Sequence, residues 1–283
     1  MRLLPPSHNF IFKALLVKNE ALILDILNSF QEFEGEHKIT EIEILNPELP
    51  KSSDTEKASI LDIRARDKRG RSFLIEMQGT PHPFFPERLL YYWSKVYAVS
   101  LHKGMKYGEL PKVYSITFLN ANLFKDTGDF HTTFQILDKR TGKILLTEHL
   151  EMHILELSKL RKPISDIKTN LEAWAYFFKE VHTLKEATLQ ELRTKNPMVE
   201  KAVDELEYLS QDEKTRIRYE EQLKIELDYN SGIDAAYRDG ENKGKLEGIL
   251  ETARKMREKG FPISEILDIT GLSENQLREN GIL

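Results

Sequence analysis

The chain has 283 residues, of which 40% are hydrophobic and 31% charged, a balance typical of a folded soluble protein and not of a disordered one. It contains no cysteine, which excludes disulfides and thiolate metal sites and fits a reducing cytoplasm. The formal net charge of −5 argues against a uniformly basic nucleic-acid-binding surface, although a local basic groove is compatible with it.

The sequence shows no pattern typical of export or of a membrane span. Pro5 and Pro6 lie where a secretory signal would need an apolar helix. No apolar run approaches the roughly twenty residues of a membrane-spanning helix. We therefore expect a cytoplasmic protein without a membrane partner.

The first part of the chain alternates between helical and extended patterns. Apolar side chains recur at helical spacing over residues 10–33, which predicts one or two amphipathic helices. Alternating or β-branched side chains predict strands further on, and a second helical pattern begins after Pro86. In chain order these later elements are a strand over 39–45, a polar loop over 46–55, strands over 59–66 and 72–78, a helix over 87–103 and a strand over 112–120. The predicted order is helix, three strands, helix, strand.

Strand patterns end near residue 157. A hairpin that turns at residues 139–142 is the last predicted β-structure, and helical patterns follow it. We therefore predict two regions, a mixed α/β core with an added hairpin over residues 1–157 and a mainly helical region over residues 158–283. Within the second region, residues 197–259 are charged and contain four spaced glycines, which predicts either a lightly packed helix or a hinge.

The segment ISEILDITGLSENQLRE near the end of the chain predicts a helix, a glycine-containing turn and a second helix. This is the outline of a DNA-binding helix-turn-helix. The second helix carries two glutamates and one arginine, whereas recognition helices are usually more basic because phosphate contacts dominate affinity. A plain helical hairpin is the alternative.

Two of the predicted strands are joined by a tight turn, which sets the side chains that face each other. A three-residue loop that ends at Gly70, with this glycine in the left-handed conformation, is a common hairpin closure. Counting back from the loop along both strands places Asp62 directly opposite Glu76, with Gln78 on the same face.

Two opposed carboxylates on neighbouring strands indicate a ligand. Directly opposed Cβ atoms are roughly 4.5–5.5 Å apart, so the charges of Asp62 and Glu76 would repel each other. Glu76 also lies in an apolar run, where an unpaired charge is costly. A divalent cation such as Mg²⁺ removes both difficulties, because hard cations are bound by one or two carboxylates with waters and phosphates. The alternative is a sheet with one solvated face, on which these are ordinary surface residues.

Residues 61–78, LDIRARDKRGRSFLIEMQ, resemble the active-site hairpin of the PD-(D/E)XK nuclease superfamily. The segments FIFKAL, ILNPELPKSSDTEKASILDI, ERLLYYWSKVYA and ITGLSENQL are similar, more closely, to a bacterial family of recombination-promoting nucleases and transposases. This resemblance covers nearly the whole chain. It implies an α/β protein with a restriction-endonuclease-like αβββαβ core, which matches the predicted order of elements, and a mainly helical C-terminal region.

Carried over by position, the resemblance implies that Asp62 and Glu76 bind the metal ion, Mg²⁺ or alternatively Mn²⁺. It implies that Gln78 takes the place of the catalytic lysine of the superfamily. A glutamine cannot act as a base, so it would orient the attacking water or a phosphate by hydrogen bonds. The chain departs from the family pattern at Asn9, where members often have an aspartate that could assist the metal.

The function that the resemblance implies is a metal-dependent DNA endonuclease, linked to recombination or transposition, that hydrolyses phosphodiester bonds. The competing interpretation is a catalytically weak or inactive nuclease-fold protein that binds DNA or serves as an interaction module. The sequence does not choose between DNA and RNA, and it leaves homo-oligomerisation open.

Two lysines are candidates for the positive charge that Gln78 lacks. Lys13 lies on the first predicted helix, and Lys57 lies just before the second strand. Either could contact a phosphate at the site. The alternative is that both are ordinary surface lysines, because lysines are rarely buried.

The helix that follows Pro86 carries further candidates for nucleic-acid binding. Arg88 and Lys95 could hold phosphates, and Tyr92 with its neighbour Tyr91 could stack on a splayed base. The four side chains recur at spacings that place them on one side of the helix. An aromatic stripe of this kind is more often part of a hydrophobic core, which is the alternative here.

Overall fold

The chain is described by a computed structural model that covers residues 2–49, 59–80 and 83–283. Two compact units are present, Met1–Tyr219 and Glu220–Leu283. The first contains a six-stranded mixed sheet, and the second is helical. The predicted polar loop over 46–55 lies partly outside the described residues. Of the helices in these three ranges, none has both the length and the apolar character needed to cross a membrane.

The N-terminal amphipathic pattern forms two helices, α1 (Asn9–Leu16) and α2 (Glu20–Asn28). Each buries four apolar side chains along one face, as the helical spacing predicts. Both helices belong to the main hydrophobic cluster under the sheet. This packing turns Asn9 and Lys13 of α1 toward Asp62.

The first unit contains strands in two sheets. In chain order they are β1 (Ile42–Leu45), β2 (Glu48–Leu49), β3 (Ser59–Ile60), β4 (Ile63–Asp67), β5 (Ser72–Gln78), β6 (Val113–Leu119), β7 (His131–Phe134) and β8 (Leu150–Glu156). Six of them form a mixed sheet in the order β1-β4-β5-β6-β8-β7. The pairs β5–β6 and β6–β8 are parallel, and the other neighbours are antiparallel. β2 and β3 form a separate antiparallel pair.

Helices cover both faces of the larger sheet. On one face, Ile75 of β5 packs with α1, α2 and α4 (Asn170–Glu180). On the other face, Leu74 packs with Trp93 of α3 (Phe85–Val99). Strands β5, β6 and β8 are therefore buried on both faces. β5 and β6 are mostly apolar, whereas β8 also buries Glu151, His153 and Glu156.

The tight turn between β4 and β5 forms as predicted. Asp67 N donates to Arg71 O at 3.1 Å, and Gly70 has a φ of +80°, in the left-handed region that glycine adopts without strain. The register that follows from this turn is confirmed, since Arg64 pairs with Leu74. The sequence of α1, β1, β4, β5, α3 and β6 gives the predicted αβββαβ core.

One consequence drawn from that register is wrong, because Asp62 does not pair with Glu76 in the ladder. The strand predicted over 59–66 is interrupted, and its pairing with β5 ends at Ile63 opposite Ile75. Before that point the chain leaves β5, and β3 pairs with β2 instead. Asp62 therefore lies between two short strands and meets β5 through its side chain.

The antiparallel pair β7 and β8 lies on either side of the turn predicted at residues 139–142, but its ladder ends at Phe134 opposite Met152, and nearer the turn the chain forms an isolated bridge between Leu137 and Leu145. Beyond it, α4, α5 (Glu186–Lys195) and α6 (Pro197–Gln211) pack into the same hydrophobic cluster as the sheet. The predicted division at residue 157 thus marks the end of the strands, whereas the compact units divide between Tyr219 and Glu220.

The second unit contains the later part of α7 (Glu213–Glu258), together with α8 (Ile263–Thr270) and α9 (Glu274–Glu279). The glycine-spaced segment is helical, so the lightly packed helix is the alternative that is observed. A small cluster of buried apolar side chains joins these helices. α8 ends at Thr270, and the next residue, Gly271, has a φ of +66° that is typical of a helix C-terminus. The predicted order of helix, glycine-containing turn and helix is present, and it is shared by both alternatives.

Candidate metal centre

Asp62 lies immediately before β4, where the ladder with β5 has ended. Its Oδ2 accepts a hydrogen bond from Met77 N at 3.0 Å, so the carboxylate takes the place of a main-chain acceptor. Its Oδ1 accepts from Asn9 Nδ2 at 2.6 Å and forms an ion pair with Lys13 Nζ at 3.0 Å. Asn9 and Lys13 are one helical turn apart on α1, which is why both reach the same oxygen.

Glu76 lies near the end of β5 on the sheet face that α3 covers, and the residue is only 6% exposed. Within the described ranges of the chain, no hydrogen-bond donor reaches its carboxylate. Burial first, and then the negative charge of Asp62, raise the pKa of Glu76 to about 7, while Arg88 and Lys13 lower it. A buried carboxylate without donors is costly unless a proton or a cation neutralises it.

A second buried polar atom lies beside Glu76. Thr117 of β6 is next to Glu76 in the parallel register and is fully buried, and its Oγ1 has no hydrogen-bond partner in the described part of the chain. An unsatisfied buried hydroxyl costs about 1–3 kcal/mol. The sheet therefore holds a carboxylate and a hydroxyl, both without partners, on adjacent strands, where a bound ion or its water could satisfy them.

Gln78 is the last residue of β5, and both ends of its amide are engaged. Oε1 accepts from Arg88 Nη2 at 2.5 Å, and Nε2 donates to Thr80 O at 2.7 Å. The amide therefore holds Arg88, and it would have to exchange or share a hydrogen bond in order to orient a water. The positive charge that position 78 lacks is present next to it, on Arg88.

The guanidinium of Arg88 packs against aromatic rings of its own helix, α3. Its Cζ lies 5.2 Å from the ring centroid of Phe85 and 6.0 Å from that of Tyr92. Its Nε is buried and has no acceptor among the residues that the structure describes. A guanidinium that is fixed in this way, with one donor still to be satisfied, suits an anion such as a phosphate.

The remaining candidates on α3 divide between the site and the protein interior. Burial, and then the charge of Glu76, raise the pKa of Tyr92, so its hydroxyl lies near the carboxylates. Lys95 is only 7% exposed, and its Nζ lies 5.9 Å from the ring centroid of Tyr91. Lys95 is therefore largely covered by the protein. Lys57 lies outside the described residues.

The predicted residues that the structure brings to one end of the sheet are Lys13, Asp62, Glu76, Gln78, Arg88 and Tyr92. Sequence reasoning missed three other groups there, which are the amide of Asn9 as a donor to Asp62, the main-chain nitrogen of Met77 and the hydroxyl of Thr117. The one-turn spacing of Asn9 and Lys13 was a usable signal for the first. The other two have no local signal, because they depend on how β5 lies against its neighbours.

The donor set fits a hard divalent cation that keeps most of its own water. In the three described ranges, no group of three or more His, Cys, Asp and Glu side chains comes together as a metal-binding cluster. Asp62 and Glu76 would therefore be the side-chain ligands. Mg²⁺ is commonly bound by one or two carboxylates, with waters and substrate phosphates as the other ligands. A cation at this place would also neutralise the buried charge of Glu76.

The order of strands in the mixed sheet, the helices on both of its faces and the helical C-terminal region define a protein with the PD-(D/E)XK nuclease fold. The model of a family described as PD-(D/E)XK nuclease family transposase matches residues 6–236, and the chain belongs to this family. The matched range contains the whole candidate metal centre and ends within α7, before α8 and α9. No curated protein and no solved structure matches the chain.

Proposed function

We propose that this protein is a DNA endonuclease that depends on a divalent metal ion and hydrolyses phosphodiester bonds in recombination or transposition. Membership of the family supports a nuclease-like function linked to transposition. The observation that carries the finer proposal is the buried carboxylate of Glu76. It has no donor within the described ranges, and it lies close enough to Asp62 for the charge of Asp62 to raise its pKa.

Asp62 and Glu76 would hold Mg²⁺, or Mn²⁺ in its place. A bound ion would polarise the scissile phosphate and lower the pKa of a coordinated water. Asn9, Lys13 and the main-chain nitrogen of Met77 fix the orientation of the Asp62 carboxylate before any ligand binds. A ligand that is fixed in advance reduces the reorganisation needed when the metal and substrate bind.

Arg88 is proposed to stabilise the negative charge that grows on the phosphate during hydrolysis. Its guanidinium is held by Gln78 and by two aromatic rings, and its Nε still lacks an acceptor among the described residues. Removing one donor of this kind typically lowers an enzyme's rate by about 10²–10³. Gln78 then acts as a positioning residue for Arg88 and not as a base.

DNA is the proposed substrate, and it would be contacted mainly through its phosphates. The cations at the site, Lys13 and Arg88, suit phosphate oxygens, and Tyr92 lies close enough to the carboxylates to contact a sugar or base. The terminal helix α9 carries more acidic than basic side chains, which does not favour base reading. We therefore expect weak sequence specificity.

The ion pair between Lys13 and Asp62 favours a second candidate, a nuclease-fold protein that binds DNA without cutting it. The ammonium group already neutralises Oδ1 of the proposed metal ligand. Asn9 gives the same carboxylate a neutral donor, where family members often have an aspartate. If these two contacts exclude the metal ion, the phosphate-binding groups would remain without a catalyst.

A plasmid-nicking assay with Mg²⁺, with Mn²⁺ and with EDTA tests the proposal. The parent protein should nick with either metal and not with EDTA. Asp62→Asn should be inactive, whereas the control Glu200→Gln, at an exposed carboxylate in the first turn of α6, should keep the parent rate. A parent that binds DNA but nicks with neither metal would favour the second candidate. Full activity of Asp62→Asn would contradict the proposed site.

A further inference from the structure

A cleft of about 970 Å³ opens at the opposite end of β5 from the candidate metal centre. Ser72, the first residue of β5, lines the cleft, whereas Gln78 is the last residue of the same strand. An extended segment of this length spans roughly 20 Å. Neither Asp62 nor Glu76 lines the cleft, so it is a separate feature of the same sheet.

The lining of this cleft is rich in arginine and lysine. These side chains are Arg64, Arg66, Arg69, Arg71 and Lys112. Three of them form ion pairs, which are Arg66 with Glu43, Arg71 with Asp67, and Lys112 with Glu148. The guanidinium of Arg69 donates to the main-chain oxygen of Glu36, which carries no net charge. Arg64 has neither an ion pair nor a hydrogen bond to any described residue.

The glutamates of the lining do not neutralise Arg64, because each is engaged elsewhere. Their partners are Lys112 for Glu148, Gln135 and His153 for Glu151, and the main-chain nitrogen of Lys106 for Glu109. Hydrogen bonds from neutral donors leave the charges of Glu109 and Glu151 in place, so what the cleft lacks is an acceptor for the Arg64 guanidinium and not negative charge as such. An anionic oxygen is the ligand that the unpartnered guanidinium of Arg64 favours.

Arg64 is in an unfavourable position for a cation without a partner. Its Nε is buried and lacks an acceptor among the described residues. Helix α3 ends at Val99 beside the same cleft, and its last carbonyls offset only about half a charge. An anionic oxygen would satisfy the free Nε and the remaining charge together.

We propose that this cleft is a second phosphate-binding site for the backbone of duplex DNA, with Arg64 as its principal ligand. The inference rests on the proposed function, because the same DNA would reach both sites. Arg64 pairs with Leu74, which shares a sheet face with Glu76, so the cleft and the metal centre open on the face that α3 covers. Arg64 lies two residues after Asp62, roughly 7 Å along an extended chain, so the phosphate that it would bind lies close to the cut.

The test is the binding of a fluorescent duplex of about twenty base pairs, long enough to span both sites, measured in EDTA so that no cutting occurs. Arg64→Gln should bind about three- to tenfold more weakly and should lower the salt dependence by roughly one phosphate contact. Arg64→Lys should keep most of the affinity, because it keeps the charge. Lys185→Gln removes an exposed cation at the start of α5, on the other side of the sheet, and should bind like the parent.

Three results would overturn the inference. The first is a parent that binds no duplex, and the second is an Arg64→Gln protein with the parent affinity and salt dependence. The third is that inorganic phosphate raises the melting temperature of the parent but not of Arg64→Gln, while both proteins bind DNA equally well. The cleft would then bind a small anion and not DNA. Melting curves of both Arg64 variants separate a loss of binding from a loss of folding. Because the binding test is made without metal, its result does not depend on whether the protein cuts DNA, so it can fail while the nicking assay succeeds, and the reverse.

Discussion

Arg88 donates a hydrogen bond to the amide oxygen of Gln78, with 2.5 Å between Nη2 and Oε1. The contact joins the end of β5 to the first turns of α3 and keeps a cation beside the carboxylate pair. The proposed site thus has carboxylates for a metal ion and a fixed cation for the phosphate.

Arg88→Ala should lower the rate of metal-dependent nicking by about 100-fold, because it removes the donor proposed to face the phosphate. Arg88→Lys should recover part of this loss, since it restores the charge but not the fork of donors that Gln78 accepts. Gln78→Ala should have a smaller effect than Arg88→Ala, because it removes only the amide that holds the guanidinium in place. Nicking rates at saturating metal, with melting curves as a check of folding, measure all three. A parent-like rate for Arg88→Ala would show that the guanidinium has no part in the reaction.

The stability of the metal-free protein should depend on pH through Glu76. Its pKa is raised from the usual 4.5 to about 7, so the folded state holds the proton more tightly than the unfolded state does. The stabilisation is therefore complete below the unfolded pKa and is lost as the pH rises through 7. A shift of this size corresponds to about 3 kcal/mol.

Glu76→Gln cannot ionise and should not show this part of the pH dependence. Urea unfolding of both proteins in EDTA, from about pH 5 to about pH 8, gives the difference directly. The free energy of unfolding of the parent should fall relative to the variant over that range. Parallel curves would mean that Glu76 does not titrate in the way its burial indicates.

The exposed helix α7 should be the first place where a protease cuts, between residues 231 and 248. A Cβ at Gly240 would meet no atom within 4 Å, so Gly240→Ala should strengthen the helix by about 1 kcal/mol and slow cutting about fivefold. Gly271→Ala is a control that should instead lower stability, because the φ of +66° at that position strains any L side chain. Limited trypsin digestion with mass spectrometry identifies the sites. Early cutting after Arg64 of β4 or after Arg71, which directly precedes β5, would contradict this fold.

Binding to DNA should be sensitive to salt and weakly specific for sequence. The proposed contacts, Arg88 at the metal centre and Arg64 in the cleft, suit phosphates, and phosphate contacts release counterions. Competition between duplexes of different sequence, repeated at several salt concentrations, measures both properties. A preference of about 10⁵-fold for one short sequence would be typical of a specific binder and would contradict this expectation.

The hairpin at the centre of the site could be predicted because its information is local. Gly70 sets the turn, the turn sets the register, and the alternation of the strand sets the face on which Glu76 lies. The departure of Asp62 from the ladder could not be predicted in the same way. It depends on the pairing of β2 with β3 and on the main-chain nitrogen of Met77, and the sequence around Asp62 specifies neither.

The contact between Gln78 and Arg88 and the burial of Lys95 depend on how α3 crosses the sheet. Helical periodicity gives the face of a helix but not its rotation against a partner, so Lys95 was expected on the surface with its neighbours. The extent of the first unit has a similar cause. Helices α4 to α6 join the core of the sheet through contacts between distant parts of the chain, which a change from strand to helix patterns does not reveal.

Asp62 and Glu76 are proposed to bind one divalent cation together, and a titration with Mn²⁺, followed by the electron spin resonance signal of the ion, measures this binding. At about pH 8, where Glu76 is largely ionised, the parent should bind Mn²⁺, and Mg²⁺ should compete for the same site. Asp62→Asn and Glu76→Gln should each lose this binding, while the control Glu200→Gln should retain it. A parent that binds no Mn²⁺, or an Asp62→Asn protein that binds it as the parent does, would contradict the claim.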